Sequence, residues 1–376
     1  MAKIVEYSNS KGKLYRFRVY AGIDATTGKK KYIKRSGFKT KAQAKKELVK
    51  LEYEIANGGH FKPVEVRKFR DVYDLWIEQY RLTVKESTAF NARRTFKKIL
   101  PVLGSYDLDK LSIAICQREI NNWAKNSPGT VKLIKVYASM VFEYAIKLGL
   151  TDKNPFKSIV IPRLQKKEKV NFLDADQLRE FLTLAQKQGI KQYTAFRLLA
   201  YSGMRIGEML ALTWDDVNFS DNTIDVNKTQ SKNEKGNLIV SDPKTMASKR
   251  VLDMDLETMQ ILKRWKVQQA SYLLTCGINA MDRGQLVFSN QHNKLAQLQT
   301  VRKWCDKILQ AGNLPHITLH GFRHTHATLL FSAGASVKEV QNRLGHSDVT
   351  TTLDIYTHLT RQDQKETIQK LVRFLG

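Results

Sequence analysis

Two stretches without hydrophobic periodicity divide this chain into three parts, and each part has to close a core of its own. HFKPVEVRKF (60–69) and TDKNPFKSIVIPRLQKKEKV (151–170) combine proline with basic residues and carry no helical stripe, which is the composition of connecting chain. The expectation is a multidomain protein, mainly α with small β-sheets. A β-sheet plus helix occupies 1–60, a helical domain 65–155, a linker 156–170, and a mixed α/β domain 171–376. A length of 376 residues, beyond the usual size of one domain, agrees with this division.

Within the first part, Tyr15, Phe17 and Val19 alternate with Arg16, Arg18 and Tyr20, and KKKYIKRSGF follows the turn-prone DATTG. The pattern reads as strand, strand, then helix. The helix opens at Thr40, where Gln43 completes a capping box, carries Ala44, Leu48, Leu51 and Ile55 along one stripe, and stops at Asn57-Gly58-Gly59. That stripe is expected to cover the aromatic face and leave the arginine face open. Residues 1–60 hold 15 Lys/Arg against 5 Asp/Glu, so Arg16, Arg18, Lys31 and Lys34 are candidates to enter a DNA groove, a solvated basic face being the plain alternative. The second part shows four helical patterns, DVYDLWIEQY, STAFNARRTFKKIL, AICQREINNWAK and TVKLIKVYASMVFEYAIKLG. Arg93, Arg94, Lys97 and Lys98 give it a basic helix face suited to phosphate.

A formal charge of +27 implies an extended positive potential that seeks a polyanion. Nucleic acid is the first candidate and a membrane surface the rival. No run approaches the roughly 18 apolar residues of a spanning helix, and MAKIVEYSNS has no signal-peptide core, so a cytoplasmic protein is expected. Cys116, Cys276 and Cys305 lack the spacing of a zinc site or disulfide framework and read as reduced thiols.

The third part carries the chemistry. In YSGMRIGEMLAL, Gly203 interrupts one apolar helix and Arg205 opens the next; in LHGFRHTHATLL, His320 precedes Arg323 by three residues, which sets both on one helix face. Two arginines can grip the non-bridging oxygens of a phosphate with paired, permanently charged donors. Lys244, in the turn-like SDPKTMAS between strand patterns, can place an ammonium at a leaving oxygen, and His346 in NRLGHSDVTTT adds a donor. Tyr356 in LDIYTHL is the candidate nucleophile, a phenol of pKa about 10 that needs nearby cations and a histidine to lose its proton. Each of these residues has an ordinary structural explanation by itself; the set does not.

The blocks SGMRIGEMLALTWDDV, HGFRHTHATLL and LGHSDVTTTLDIYTH closely resemble, in order and separation, the catalytic motifs of the tyrosine recombinases, the phage integrases. The resemblance covers essentially the whole chain. The N-terminal sheet and helix is similar to the arm-site DNA-binding domain of integrases from temperate phages and conjugative transposons of Gram-positive bacteria, and NPF followed by a basic linker is similar to the family's domain junction. The resemblance implies that Arg205, Lys244, His320, Arg323, His346 and Tyr356 take the six catalytic positions, with Glu208 as the supporting acid. Lys232, Lys235 and Lys249 lie in the same region as Lys244, and only the PKT context favours the latter. His324 and His326 make a histidine cluster with His320, yet no third well-spaced ligand completes a metal site.

By the same resemblance the reaction is site-specific integration and excision through a 3′-phosphotyrosyl intermediate. It uses no cofactor and no metal, because one phosphodiester is exchanged for another of similar energy. Four protomers on two double-stranded DNA sites, core and arm sequences, an excisionase or directionality factor and a host DNA-bending protein are the partners implied. The tail stripe of Ile368, Leu371, Val372 and Leu375 can dock on its own domain or on a neighbour. The competing readings are a type IB-like topoisomerase, a catalytically decayed DNA-binding regulator and a metal-dependent nuclease, the last disfavoured for want of clustered carboxylates.

Overall fold

The computed structural model describes residues 2–9, 12–23, 30–56, 68–163, 171–243, 246–280, 284–350 and 352–353. Lys244, Tyr356, the expected helix stop at 57–59 and the tail stripe lie outside the described residues. By internal contacts the chain forms two units, Met1–Glu78 with Thr95–Ile161, and Gln79–Arg94 with Pro162–Gly376.

The N-terminal part of the first unit is a three-stranded antiparallel sheet in the order β1 (Ile4–Asn9), β2 (Gly12–Ile23), β3 (Lys30–Phe38). β1 was not expected, because the adjacent apolar residues Ile4 and Val5 break a period of two. Phe17 and Val19 turn inward, pairing across β3 with Arg35 and Ile33. The helix α1 (Lys41–Ala56) buries Ala44, Leu48 and Leu51 against them, and Thr40 Oγ1 accepts from the Gln43 amide at 3.2 Å. The opposite face carries Arg16, Arg18 and Lys34, all exposed.

Four helices follow: α2 (Phe69–Arg81), α3 (Glu86–Leu103), α4 (Ile113–Asn126) and α5 (Val131–Lys147). Aromatic side chains set their spacing, with Tyr73 and Phe96 at 4.2 Å between centroids and Trp76 and Phe96 at 5.3 Å. The expected linker at 156–170 starts later than its composition suggests. Phe156 and Ile159 are buried, Asn154 Nδ2 donates to Glu143 Oε1 at 2.7 Å, and Gln117 meets both backbone groups of Val160, so the chain stays with the helices as far as Ile161.

The second unit is mainly helical. It contains α6 (Ala175–Gln188), α7 (Ile190–Ser202), α8 (Ile206–Ala211), α9 (Leu256–Thr275), α10 (Leu298–Ala311), α11 (Gly321–Ser332) and α12 (Val337–Leu344). Between α8 and α9 lie a three-stranded sheet, β4 (Val217–Asn218), β5 (Thr223–Val226) and β8 (Arg250–Asp253), and a hairpin of β6 (Thr229–Lys232) and β7 (Leu238–Ser241). The continuous run Thr194–Ala200 is buried, which makes α7 a core helix without a wet face. Phe181, Phe196 and Phe322 meet around it with centroids 5.0–5.4 Å apart.

Gly203 ends α7 with φ +64, and a Cβ there would lie 2.5 Å from His326 Cδ2 and 2.8 Å from Leu344 Cδ2. Only glycine combines that backbone with that closeness. Gly203→Ala is expected to destabilise the protein by about 2–4 kcal/mol, from left-handed strain plus overpacking, as read by urea denaturation. A change below about 0.5 kcal/mol would mean that the turn relaxes freely.

Candidate active site

Three short segments build the site, each pinned by its own helix end. Arg205 occupies the N-cap of α8 with its amide donating to Glu208 Oε2 at 2.9 Å and its Nη1 to Glu208 Oε1 at 2.7 Å. Glu208 is 2% exposed, and a second arginine, Arg250, donates Nη2 to the same Oε2 at 3.0 Å. Burial alone would raise this carboxyl, but Arg250 first and then Arg205 outweigh it and hold it ionised. The expected supporting acid is therefore a shared counter-ion.

Arg323, in the first turn of α11, is 2% exposed. Its Nη1 donates to Gly203 O at 2.9 Å and its Nη2 to Leu344 O at 2.7 Å, while its Nε meets no acceptor among the described residues. His320 precedes α11 and stands edge-on to His324 with centroids 4.9 Å apart. Ahead of it, Asn171 Oδ1 accepts from the Thr318 amide at 2.8 Å and its Nδ2 donates to Thr318 Oγ1 at 3.2 Å, fixing the approach to the helix. His346 follows the left-handed turn at Gly345, φ +67, that ends α12, and its Nδ1 lies 2.9 Å from Thr352 Oγ1.

The electrostatics are those of a place built for an anion. Burial and then the charges of Arg323 and Arg205 pull His346 down to about 4. His320 shifts in the same direction, through burial followed by His324, Arg323 and Arg205, and solvent at its open edge softens the effect. A cleft of about 560 Å³ opens beside Arg205, with Ser231 and Ser347 in its wall.

Among the described candidates, Arg205, Glu208, His320, Arg323 and His346 act on one another electrostatically. Lys244 and Tyr356 lie outside the described residues. His326 is not at the reacting surface: its Nδ1 donates to Ala200 O at 2.7 Å, so its Nε2 accepts from Arg343 Nε at 3.1 Å. Among the described residues no three His, Cys, Asp or Glu side chains gather in a metal-ligating group. Cys116 and Cys305 are buried thiols pushed up to about 12 by burial, and Cys276 is exposed.

The DNA candidates divide. Arg18 and Lys34 pair across β2 and β3, and Arg18 stacks 3.8 Å from the Tyr32 ring centroid. Lys31, by alternation along β3, falls on the side of Ile33 rather than with Lys34. Arg94, Lys97 and Lys98 are exposed on α3, Lys98 reaching Ser127 Oγ at 3.1 Å, whereas Arg93 lies 3.6 Å from Glu234. Sequence reading missed Arg250 and Arg343, whose partners lie far off in sequence, and Thr352, whose hydroxyl meets His346 six residues earlier only through the local fold.

The sequence profile described as "Phage integrase family" matches residues 171–363, just over half of the chain. The chain belongs to the phage integrase family. The family's N-terminal SAM-like domain matches 68–124 and an arm DNA-binding domain matches 5–55. The integrase is 28% identical to the ICEBs1 integrase of Bacillus subtilis (strain 168), over 95% of this chain and 96% of that one. It is also 28% identical to a XerC-like tyrosine recombinase of Caldanaerobacter subterraneus, over 99% of each chain. Among solved structures it resembles the Tn1549 transposon integrase in complex with a circular intermediate DNA, with TM-score 0.66 and 23% identity over 80% of this chain and 99% of that one. It also resembles a lambda integrase tetramer bound to a Holliday junction, with TM-score 0.57 and 18% identity over 93% of this chain and 94% of that one. The expected fold class is borne out, and this integrase is a site-specific tyrosine recombinase, an enzyme that cleaves and rejoins DNA.

The depressed histidines give a test in the absence of DNA. His346 falls from 6.5 to about 4 in the folded protein, so its contribution to stability is present above pH 6.5 and is lost as pH falls toward 4, where the unfolded chain takes up the proton first. Melting measured across that range is expected to show a smaller acid loss for His346→Gln than for the parent integrase. Added sulfate, by favouring protonated His346, is expected to offset the parent's loss. Identical acid profiles would refute the depressed state of His346.

Proposed function

We propose that Tyr356 attacks the scissile phosphate, forming a 3′-phosphotyrosyl bond and releasing a 5′-hydroxyl, while Arg205 and Arg323 hold the charge on the non-bridging oxygens. Lys244 protonates the leaving 5′ oxygen. His320 takes the proton of the tyrosine, for which it must begin neutral, and its lowered pKa supports that role. His346 donates to the phosphate, its ring oriented by Thr352. On resealing, the 5′-hydroxyl of the new partner strand attacks the tyrosyl phosphate and the proton roles reverse. The observation that carries this reading is Arg323 Nε, a buried charged donor without an acceptor among the described residues, in a guanidinium whose other two nitrogens are fixed by backbone carbonyls. A phosphate oxygen completes it.

Strand exchange between two duplexes needs four cleavages, hence four protomers acting in pairs on two DNA sites. The arginine face of the N-terminal sheet takes distant arm sites, and the remainder of the chain takes the core site, so one chain captures two DNA segments. Bringing them together bends DNA, at a cost of several kcal/mol, which favours a host bending protein and a directionality factor as partners. No described helix is long and apolar enough to cross a membrane, and the bacterial cytoplasm, where the target DNA lies, is the proposed place of action.

Nicked suicide duplexes from the element's ends, incubated with the integrase in EDTA and run on a denaturing gel, are expected to give a covalent protein–DNA band that Tyr356→Phe abolishes without loss of DNA binding. Binding to a verified site with no covalent band from the parent protein would sink the nucleophile assignment.

A further inference from the structure

Arg250 stands behind the phosphate grip and has no part in the reaction as drawn above. Its side chain is 8% exposed against 37% for Arg205, so it is withdrawn from the cleft that Arg205 faces. It makes three hydrogen bonds to three separate segments. Nη2 donates to Glu208 Oε2 at 3.0 Å, Nε to Arg343 O at 2.8 Å, and Nη1 to Ser248 O at 3.0 Å. The first acceptor sits in the turn that presents Arg205, and the second is two residues before Gly345, where the chain turns toward His346. The third ends the short turn Met246–Ser248 that leads into β8. A Cβ on Gly345 would lie 2.7 Å from Ala247 O and 3.2 Å from Arg250 Cδ, so the His346 turn is pressed directly onto the arginine stem.

We propose that Arg250 is a positioning residue that keeps the charge of Arg205 available to the scissile phosphate. The inference rests on the phosphate grip proposed above and deepens it. Glu208 is a buried carboxylate shared between two guanidinium groups, with Oε1 held by Arg205 and Oε2 by both the Arg205 amide and Arg250. With Arg250 in place, the carboxylate is neutralised from behind, and Arg205 carries its positive charge into the cleft. Without it, Glu208 has Arg205 as its one cation among these contacts, and the pair turns inward as a neutral ion pair that offers the phosphate little. Lysine retains the charge but cannot span three acceptors in one plane.

The test is single-turnover covalent capture on suicide duplexes that carry either an ordinary phosphodiester or an uncharged methylphosphonate at the scissile position. DNA binding and melting temperature are measured in parallel. The methylphosphonate has no net charge for Arg205 to neutralise, so a defect in delivering that charge costs less on it. Arg250→Met is expected to slow capture about 100-fold on the phosphodiester, the scale of losing one positioned donor, and by less than about tenfold on the methylphosphonate, with DNA binding retained. Arg250→Lys is expected to fall between Arg250→Met and the parent. Adding Glu208→Gln to Arg250→Met removes the carboxylate that captures Arg205, and the double variant is expected to recover about tenfold or more on the phosphodiester. If Arg250→Met does not fold, Arg250→Lys carries the test, with phosphodiester capture expected to slow several-fold more than methylphosphonate capture. Equal slowing of all variants on both substrates overturns the positioning role and leaves the phosphate grip standing. Absence of covalent product from the parent on both substrates overturns the grip and this proposal together.

Discussion

Three guanidinium groups, those of Arg205, Arg250 and Arg323, gather around the buried carboxylate of Glu208. Like charges in a poorly solvated place repel strongly, and two features keep this group together. Glu208 divides its oxygens between two of the arginines, and Arg323 is held by backbone carbonyls from the end of α7 and the end of α12. Burial first, and then the residual positive potential, depresses His320 and His346. Substrate charge is thus the missing part of the electrostatic balance, and the ends of four helices, α7, α8, α11 and α12, are placed to receive it.

The sequence and the structure agree where local chemistry dictates the outcome. Gly203 and Arg205 are two residues apart, so a helix stop and the start of the next helix are readable locally, and the family resemblance supplies Glu208, which caps that start. The stripe Ala44, Leu48, Leu51 is equally local, and it packs as its period implies. Disagreement begins where the partner is distant in sequence. Arg250 in KRVLDM looks like one more basic residue on a strand, and nothing near it announces an acceptor in Glu208, 42 residues earlier, or in Arg343, 93 residues later. Thr352 is one of three consecutive threonines, and only the fold sets its hydroxyl against His346. Phe156 gives no sequence signal for the same reason, since a lone aromatic beside a proline has no period, yet it fills a space beside Phe142 at 5.9 Å.

Charge in a sequence does not say which face a basic residue falls on. Arg18 and Lys34 share a strand pair on the open face with Tyr20 and Tyr32, whose rings lie edge to face at 5.6 Å. That surface offers cations and flat aromatic area together, a combination suited to a groove edge. Lys31 differs from Lys34 by an odd number of residues, so a pleated strand separates them. On α3 the same charge density splits between exposed Arg94 and Lys97 and an Arg93 that stands at ion-pair distance from Glu234.

The way Arg323 is held carries a consequence for order of events. Its two terminal nitrogens reach carbonyls at Gly203 and Leu344, the first immediately before the Met204-Arg205 step and the second immediately before the Gly345-His346 step. One rigid, planar group therefore measures the separation between the segment that supplies the first arginine and the segment that supplies the last histidine. Sliding either turn by an ångström breaks a hydrogen bond to a buried charge, which is costly, so the proposed grip needs no DNA to set its spacing. In the reaction proposed above, what DNA changes is protonation. An anion seated against Arg323 Nε cancels part of the field on His346 and raises its proton affinity, so the histidine becomes a better donor once there is a phosphate to receive the bond.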